Sequence, residues 1–186
     1  MLRKGGDKRI IEDSKNSILI TLPVYNEASH LKKNVEILLR YLSMNKISAK
    51  IAIAEDGSTD DSFLIATELS KMYPSIEVLH NDNKLGRGKA IRSCWMNSEV
   101  SIYVFMDADL STDLHGLDSI IKMMMHGYEV VTGSRYHLGS RTERPVLRLV
   151  FSKVYNHIVR FIFRSPFSDH QCGFKSFSRR LVERLS

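Results

Sequence analysis

The chain has 186 residues, 43% of them hydrophobic and 26% charged, with a formal net charge of +6. That length gives one domain with a substantial core, and the composition excludes a disordered or low-complexity chain. The excess charge is local, because residues 135–186 hold 11 Lys and Arg against 3 Asp and Glu, so the C-terminal third is expected to face something anionic.

Residues 1–17 are polar and basic without an apolar run, unlike a signal peptide. Residues 18–22 predict a first strand. Residues 28–42 predict a helix with Leu31, Val35, Leu38, Leu39 and Leu42 at helical spacing. Residues 50–54 predict the second strand, and Asp60 is expected to cap a helix reaching about Met72, with Pro74 beyond its end. Residues 76–80 read as a third strand, and a loop over 81–89 opens a helix to about Asn97. A fourth strand is expected at 102–106, a helix at 113–126 and a fifth strand at 129–132. This alternation predicts an α/β fold with a mostly parallel central sheet flanked by helices.

From Pro145 the pattern changes. Arg148, Ser152, Asn156, Arg160 and Arg164 recur every four residues, opposite Leu147, Val150, Phe151, Val154, Ile158, Phe161 and Ile162. Residues 146–163 therefore read as a basic amphipathic helix, whose apolar face either covers the sheet or lies in a membrane interface. No run approaches the ~20 apolar residues of a membrane span. Cys94 and Cys172 make neither a CxxC pair nor a disulfide framework, which points to a reducing compartment.

Two acidic clusters follow strand-like runs: Glu55-Asp56-Gly57-Ser58-Thr59-Asp60 after the second strand and Asp107-Ala108-Asp109 after the fourth. Open α/β sheets bind ligands at the carboxyl ends of their strands. Carboxylates gathered there suit a divalent cation and, through it, a phosphorylated substrate. Asp-x-Asp alone is a weak signal, and a solvated turn is its plain alternative. At a strand end, however, alternate residues of an extended segment project the same way. After the first strand, Pro23 is expected to end the ladder, Tyr25 offers a face for a base, and Glu27 can accept from ring or ribose donors. Asp56-Gly57-Ser58 reads as a tight turn whose Asp can also meet a nucleobase edge. Leu85-Gly86-Arg87-Gly88-Lys89 lacks the Lys-Ser/Thr ending of a P-loop and fits a backbone-close turn with nearby cations.

Taken together, these segments resemble the family 2 glycosyltransferases with a GT-A fold. The likeness rests on Pro23-Val24-Tyr25-Asn26-Glu27, Glu55–Asp60, Leu85–Ala90 and Asp107-Ala108-Asp109, in that order. Gly133-Ser134-Arg135-Tyr136 and Asp169-His170-Gln171-Cys172-Gly173-Phe174-Lys175 look like the branch that loads a sugar onto a polyprenyl or dolichyl phosphate. The Gln171–Lys175 string looks more like its glucosyl members. The resemblance implies residues 17–186 as the catalytic domain behind a polar basic tail, 1–16. With 11 residues after Lys175, it also implies a C-terminal segment or a membrane-anchoring partner.

For the site, the resemblance implies a nucleotide sugar held by Pro23, Tyr25, Glu27, Asp56, Ser58, Gly86, Lys89, Asp107, Ala108 and Asp109. Mg²⁺ or Mn²⁺ would sit on Asp107 and Asp109. Some mannosyl members place a Gln metal ligand where this chain has Ser111, a departure that leaves that ligand to water. Arg135, Arg141, Arg144 and Lys175 would receive the lipid phosphate, with Asp109, Arg135, Asp169 and Gln171 as the catalytic set. The donor expected is UDP-glucose, with GDP-mannose as the alternative. The implied location is cytoplasmic, peripheral on the cytosolic face of a membrane.

The chemistry is consistent with those residues. A phosphate monoester has a second pKa of about 6, so at neutral pH it is a ready nucleophile that needs cations to position it. Attack opposite the leaving diphosphate inverts the anomeric centre. Four other readings compete. A processive polysaccharide synthase should carry Gln-x-x-Arg-Trp, whereas Trp95 is the sole tryptophan and lies upstream. A pyrophosphorylase should carry a Gly-rich basic loop after the first strand. A nucleic-acid module should show a basic–aromatic reader pattern, which this chain lacks. A catalytically silent subunit would have no use for the carboxylates. A soluble glycan acceptor is the alternative to the lipid phosphate.

Overall fold

The computed structural model describes residues 17–111, 113–133 and 172–185. In chain order they form β1 (Ile18–Val24), α1 (Leu31–Met44), β2 (Lys50–Glu55), α2 (Ser62–Met72), β3 (Ile76–His80) and α3 (Arg87–Met96). Then come β4 (Ile102–Met106), α4 (His115–Met125), β5 (Val130–Thr132), β6 (Phe174–Ser178) and α5 (Arg179–Leu185).

One six-stranded sheet has the order β3-β2-β1-β4-β6-β5. β3, β2, β1 and β4 pair in parallel, and β6 runs antiparallel between β4 and β5. The alternation of side chains along each strand divides the core. Ile18, Ile20, Leu22 and Val24 of β1, with Ile51 and Ile53 of β2, join the larger core. That core is closed by Leu31, Val35, Leu38 and Leu42 of α1 and by Leu117, Ile120, Ile121 and Met124 of α4. Leu19, Ala52 and Ala54 face the other way, against Ala90 and Cys94 of α3 and Val182 of α5. The two small alanines let α3 pack close to the sheet. A fully buried Leu or Ile contributes about 1.5–3 kcal/mol, so truncating any one of these β1 side chains would remove a sizeable part of a domain's small net stability.

Several boundaries differ from the sequence reading. β1 runs through Pro23, which pairs with Ala54, to Val24 opposite Glu55. Pro23 therefore does not end that ladder. On the β4 side the pairing ends at Thr21 opposite Phe105, so the missing N–H of Pro23 costs no ladder bond there. Asp60 does not cap α2 from the preceding position, because the helix begins at Ser62 and Asp61 flanks it. Asp60 still accepts from the Ser62 amide at 3.0 Å. α1 starts at Leu31 rather than residue 28, and residues 28–30 form a turn before it, with the Ala28 amide donating to Asp60 at 3.1 Å. β6 and α5 were not foreseen. The amphipathic segment 146–163 lies outside the described residues.

Candidate active site

The carboxyl ends of β1, β2 and β4 open into a cleft of about 390 Å³ lined by Pro23, Val24, Tyr25, Glu27, Asp56, Lys84, Arg87, Asp107, Ala108 and Asp109. Three strand-end segments far apart in sequence meet there because the parallel register brings them level, and the loop with Lys84 and Arg87 joins them.

The first two segments are stitched together by hydrogen bonds. The amide of Asn26 donates to Ser58 Oγ at 3.0 Å, and that of Glu27 to Ser62 Oγ at 2.8 Å. Thr59 N–H returns a bond to Asn26 Oδ1 at 2.8 Å. Asn26 takes a left-handed φ of 56°, a conformation that asparagine tolerates better than most residues. Beneath this brace lies the fully buried Glu55. It accepts from Ser58 N–H at 2.6 Å and pairs with His80 Nδ1. Burial works against its charge, yet the bonds from Ser58 and the contact with His80 outweigh that and hold its carboxyl below the usual range. His80 in turn stacks on Phe63, with ring centroids 3.9 Å apart.

Asp56, also buried, fixes the glycine-rich loop. Its two oxygens accept from the amides of Leu85 and Gly86, both at 2.8 Å. Gly57 completes the junction. With φ +70° it occupies the left-handed region, and a Cβ there would stand 2.8 Å from the backbone carbon of Asn83. Only glycine fits both demands. The loop carries Lys84, whose Nζ lies 3.4 Å from the centroid of the Tyr25 ring, and Arg87, whose Nη1 is 2.9 Å from Asp107 Oδ1.

The Asp107-Ala108-Asp109 segment is a turn rather than the extended run expected. β4 ends at Met106, and Leu110, at φ 49°, returns its amide to the Asp107 carbonyl at 3.1 Å. Both carboxylates still line the cleft. Asp109 is exposed and accepts from Ser111 N–H at 2.9 Å. Asn34 of α1 anchors the turn by donating to the Ala108 carbonyl at 3.0 Å. β6 supports it from below, where Asp107 N–H donates to the Gly173 carbonyl at 3.0 Å. A Cβ on Gly173 would stand 1.6 Å from Asp107 Oδ2, so the Asp107 side chain occupies the space that glycine leaves. Glu27 completes the acidic face. Burial raises its pKa most, Asp109 raises it further, His30 opposes them, and Asp60 and Asp107 add smaller upward effects.

The carboxylates of Asp107 and Asp109 are hard oxygen donors of the kind that Mg²⁺ and Mn²⁺ prefer. Among the described residues no group of three or more His, Cys, Asp or Glu is placed to hold a metal ion. Two protein carboxylates completed by phosphate oxygens and water are the usual provision for a magnesium-type ion, and the pair fits that role.

Of the residues singled out from the sequence, Pro23, Tyr25, Glu27, Asp56, Asp107, Ala108 and Asp109 line the cleft. Ser58 serves the brace, Gly86 donates to Asp56, and Lys89 lies exposed on the first turn of α3. Lys175 sits on β6 opposite Phe105, with Nζ 6.0 Å from that ring's centroid. Arg135, Arg141, Arg144, Asp169 and Gln171 lie outside the described residues. Lys84, Arg87, the Asn26–Ser62 brace and the role of Gly173 were missed. Arg87 had a signal, as a cation between two glycines. Gly173 stood in the Gln171–Lys175 string, but its contact with Asp107 had no signal, since it is set by pairing across 66 residues of chain.

Residues 19–186 match the family model described as Glycosyl transferase family 2. Glycosyltransferase AglD of Haloferax volcanii is 35% identical over 171 residues, which cover 90% of this chain and 27% of that protein. Dolichyl-phosphate beta-glucosyltransferase ALG5D of Trichomonas vaginalis is 27% identical over 190 residues, covering 96% and 58%. Polyprenol monophosphomannose synthase of Mycolicibacterium smegmatis is 27% identical over 186 residues, covering 97% and 68%. The chain thus spans between 27% and 68% of the length of these relatives. Among solved structures, the mannosyltransferase PcManGT from Pyrobaculum calidifontis, in complex with GDP-Man and Mn²⁺, aligns with a TM-score of 0.64 at 17% identity, covering 91% of this chain and 46% of that one. Glucosyl-3-phosphoglycerate synthase from Mycobacterium tuberculosis, with Mn²⁺, UDP and phosphoglyceric acid, aligns at 0.62 and 16%, covering 89% and 57%.

Proposed function

The chain belongs to glycosyl transferase family 2 and has the GT-A fold, and from that premise we propose that it transfers a hexose from a nucleotide sugar to a polyprenyl or dolichyl phosphate with inversion. The observation that carries this reading is the cleft itself. It joins an aromatic face at Tyr25, a buried Asp56 and two metal-type carboxylates at the carboxyl ends of three parallel strands. The named relatives that load dolichyl or polyprenyl phosphates support the lipid acceptor.

In this mechanism Tyr25 takes the nucleoside, against the loop that Asp56 holds in place. A divalent cation on Asp107 and Asp109 would neutralise the charge that develops on the departing diphosphate. Arg135, Arg141, Arg144 and Lys175 position the incoming lipid phosphate, which needs no general base because it is already ionised. Asp169 and Gln171 orient the transferred sugar. UDP-glucose is the donor proposed first, supported by the glucosyl relatives. GDP-mannose stands second, supported by the mannosyl one. The +8 balance of residues 135–186 supports a peripheral site of action on the cytosolic face of a membrane.

The test is transfer by the full-length protein from UDP-glucose and GDP-mannose to dolichyl phosphate, with Mn²⁺ or with excess chelator. Transfer from UDP-glucose that chelator abolishes is the expected result. Transfer from GDP-mannose alone overturns the donor and keeps the mechanism. Arg135→Ala should keep nucleotide binding and cripple transfer. Normal transfer by that variant, together with no binding to anionic vesicles, would move the acceptor to a soluble glycan.

A further inference from the structure

Arg87 is the first residue of α3, and its backbone follows the two amides that Asp56 holds at 2.8 Å. Its guanidinium Nη1 lies 2.9 Å from Asp107 Oδ1, with 63% of the Arg87 side chain exposed. It therefore takes up one of the oxygens through which Asp107 would bind a cation. A guanidinium and a divalent ion repel one another, and one carboxylate oxygen cannot serve both at full strength. The backbone is pinned while the side chain is mostly exposed, with Asp107 as its partner. Arg87 can thus leave Asp107 without disturbing the loop, and its planar fork suits a phosphate.

We propose that Arg87 is a built-in counter-ion of Asp107 that gives up this oxygen when the divalent ion and the diphosphate arrive together. This rests on the metal-assisted reading of the cleft. Before ligand arrives, Arg87 relieves part of the repulsion among Glu27, Asp107 and Asp109. Metal alone must displace the guanidinium and leaves it without a new anionic partner. Metal with a nucleoside diphosphate displaces it onto a new anionic partner. Arg87 is thus a positioning residue that makes metal and nucleotide bind cooperatively.

The experiment is calorimetric titration of Mn²⁺ into the folded full-length protein, alone and with saturating UDP or GDP, for wild type, Arg87→Met and Arg87→Lys. Arg87→Met should bind Mn²⁺ alone up to about fivefold more tightly, the scale of one half-exposed ion pair. It should also bind nucleotide in the presence of Mn²⁺ about tenfold more weakly, the scale of one charge-assisted bond. Arg87→Lys keeps the charge without the fork and should fall between the two. If Arg87→Met binds Mn²⁺ alone no better than wild type, while Asp109→Asn abolishes that binding, the exchange is overturned and the metal site stands. If neither wild type nor variant binds Mn²⁺ with or without nucleotide, the metal reading fails and the exchange falls with it.

Discussion

On the loop wall of the cleft, Asp56 gives both oxygens to backbone amides and Gly57 presses against residues 83 and 84, so the surface is held by short bonds before any ligand arrives. On the opposite wall, Asp107 meets an exposed guanidinium, Asp109 is exposed, and burial together with the neighbouring acids raises the pKa of Glu27. The loop wall spends its charge on shape, whereas the carboxylate wall keeps charge in reserve for a ligand. A site built in this way recognises by fit on one side and by electrostatics on the other. Substitutions on the two walls should therefore fail differently.

The largest expected effect is on the carboxylate wall. Asp109→Asn should lower transfer at least about a hundredfold, roughly 3 kcal/mol of transition-state stabilisation. Its melting temperature should stay near that of wild type, because Asp109 is exposed. Full turnover by the folded variant would remove Asp109 from the mechanism.

The loop wall should respond in the opposite proportion. Asp56→Ala removes two charge-assisted bonds from a residue that is 3% exposed. It should cost about 2–4 kcal/mol in urea unfolding and release the loop that carries Lys84 and Arg87. Nucleotide affinity should fall more than about tenfold as a consequence of that release. A variant as stable as wild type would show that the loop is held by something other than Asp56.

Gly173→Ala acts on the carboxylate wall from beneath. Its Cβ would overlap Asp107 Oδ2, and a short side chain can turn away at modest cost. Stability should drop by only about 1 kcal/mol, while Mn²⁺ and nucleotide binding fall by about tenfold because one carboxylate is misdirected. Calorimetry alongside thermal unfolding separates the two. Loss of stability with intact binding would mean that Asp107 is not aimed from below.

The parallel half was legible because its signals are local. Leu31, Val35, Leu38 and Leu42 announce α1 by spacing, and the β-branched runs announce β1, β2 and β4. Tyr25, Asp56, Asp107 and Asp109 were legible as strand-end residues of a recognisable family. What stayed hidden depends on pairing across distance. β6 has the short pattern Phe174, Lys175, Ser176, Phe177, Ser178, with Ser176 buried between its neighbours, and nothing local marks it as a core strand. Its antiparallel place beside β4 is a fact of the sheet, and with it came the role of Gly173. The Asn26–Ser62 brace was hidden for the same reason, since polar residues in two turns look like solvated loops until β1 and β2 align them.

The smallest effect at neutral pH, and the most selective, belongs to Glu55 behind the loop wall. Its carboxyl is held below the ordinary value of 4.5, because the bonds from Ser58 and His80 outweigh the burial that opposes them. A group whose folded pKa is depressed contributes stability above its unfolded pKa and loses it as pH falls through the folded one. Urea midpoints measured from pH 6 downward should therefore hold steady to about pH 4.5 and then decline. Glu55→Gln cannot lose a charge it no longer carries, so its midpoint should start lower and decline less steeply over the same acid range. If wild type and Glu55→Gln decline in parallel below pH 4.5, the folded carboxyl takes up its proton over the same range as the unfolded one, and its bonds to Ser58 and His80 do not favour the charged form. The loop wall would then owe no stability to that charge, and the contrast between a wall fixed by bonded charge and a wall with charge in reserve would lose its first half.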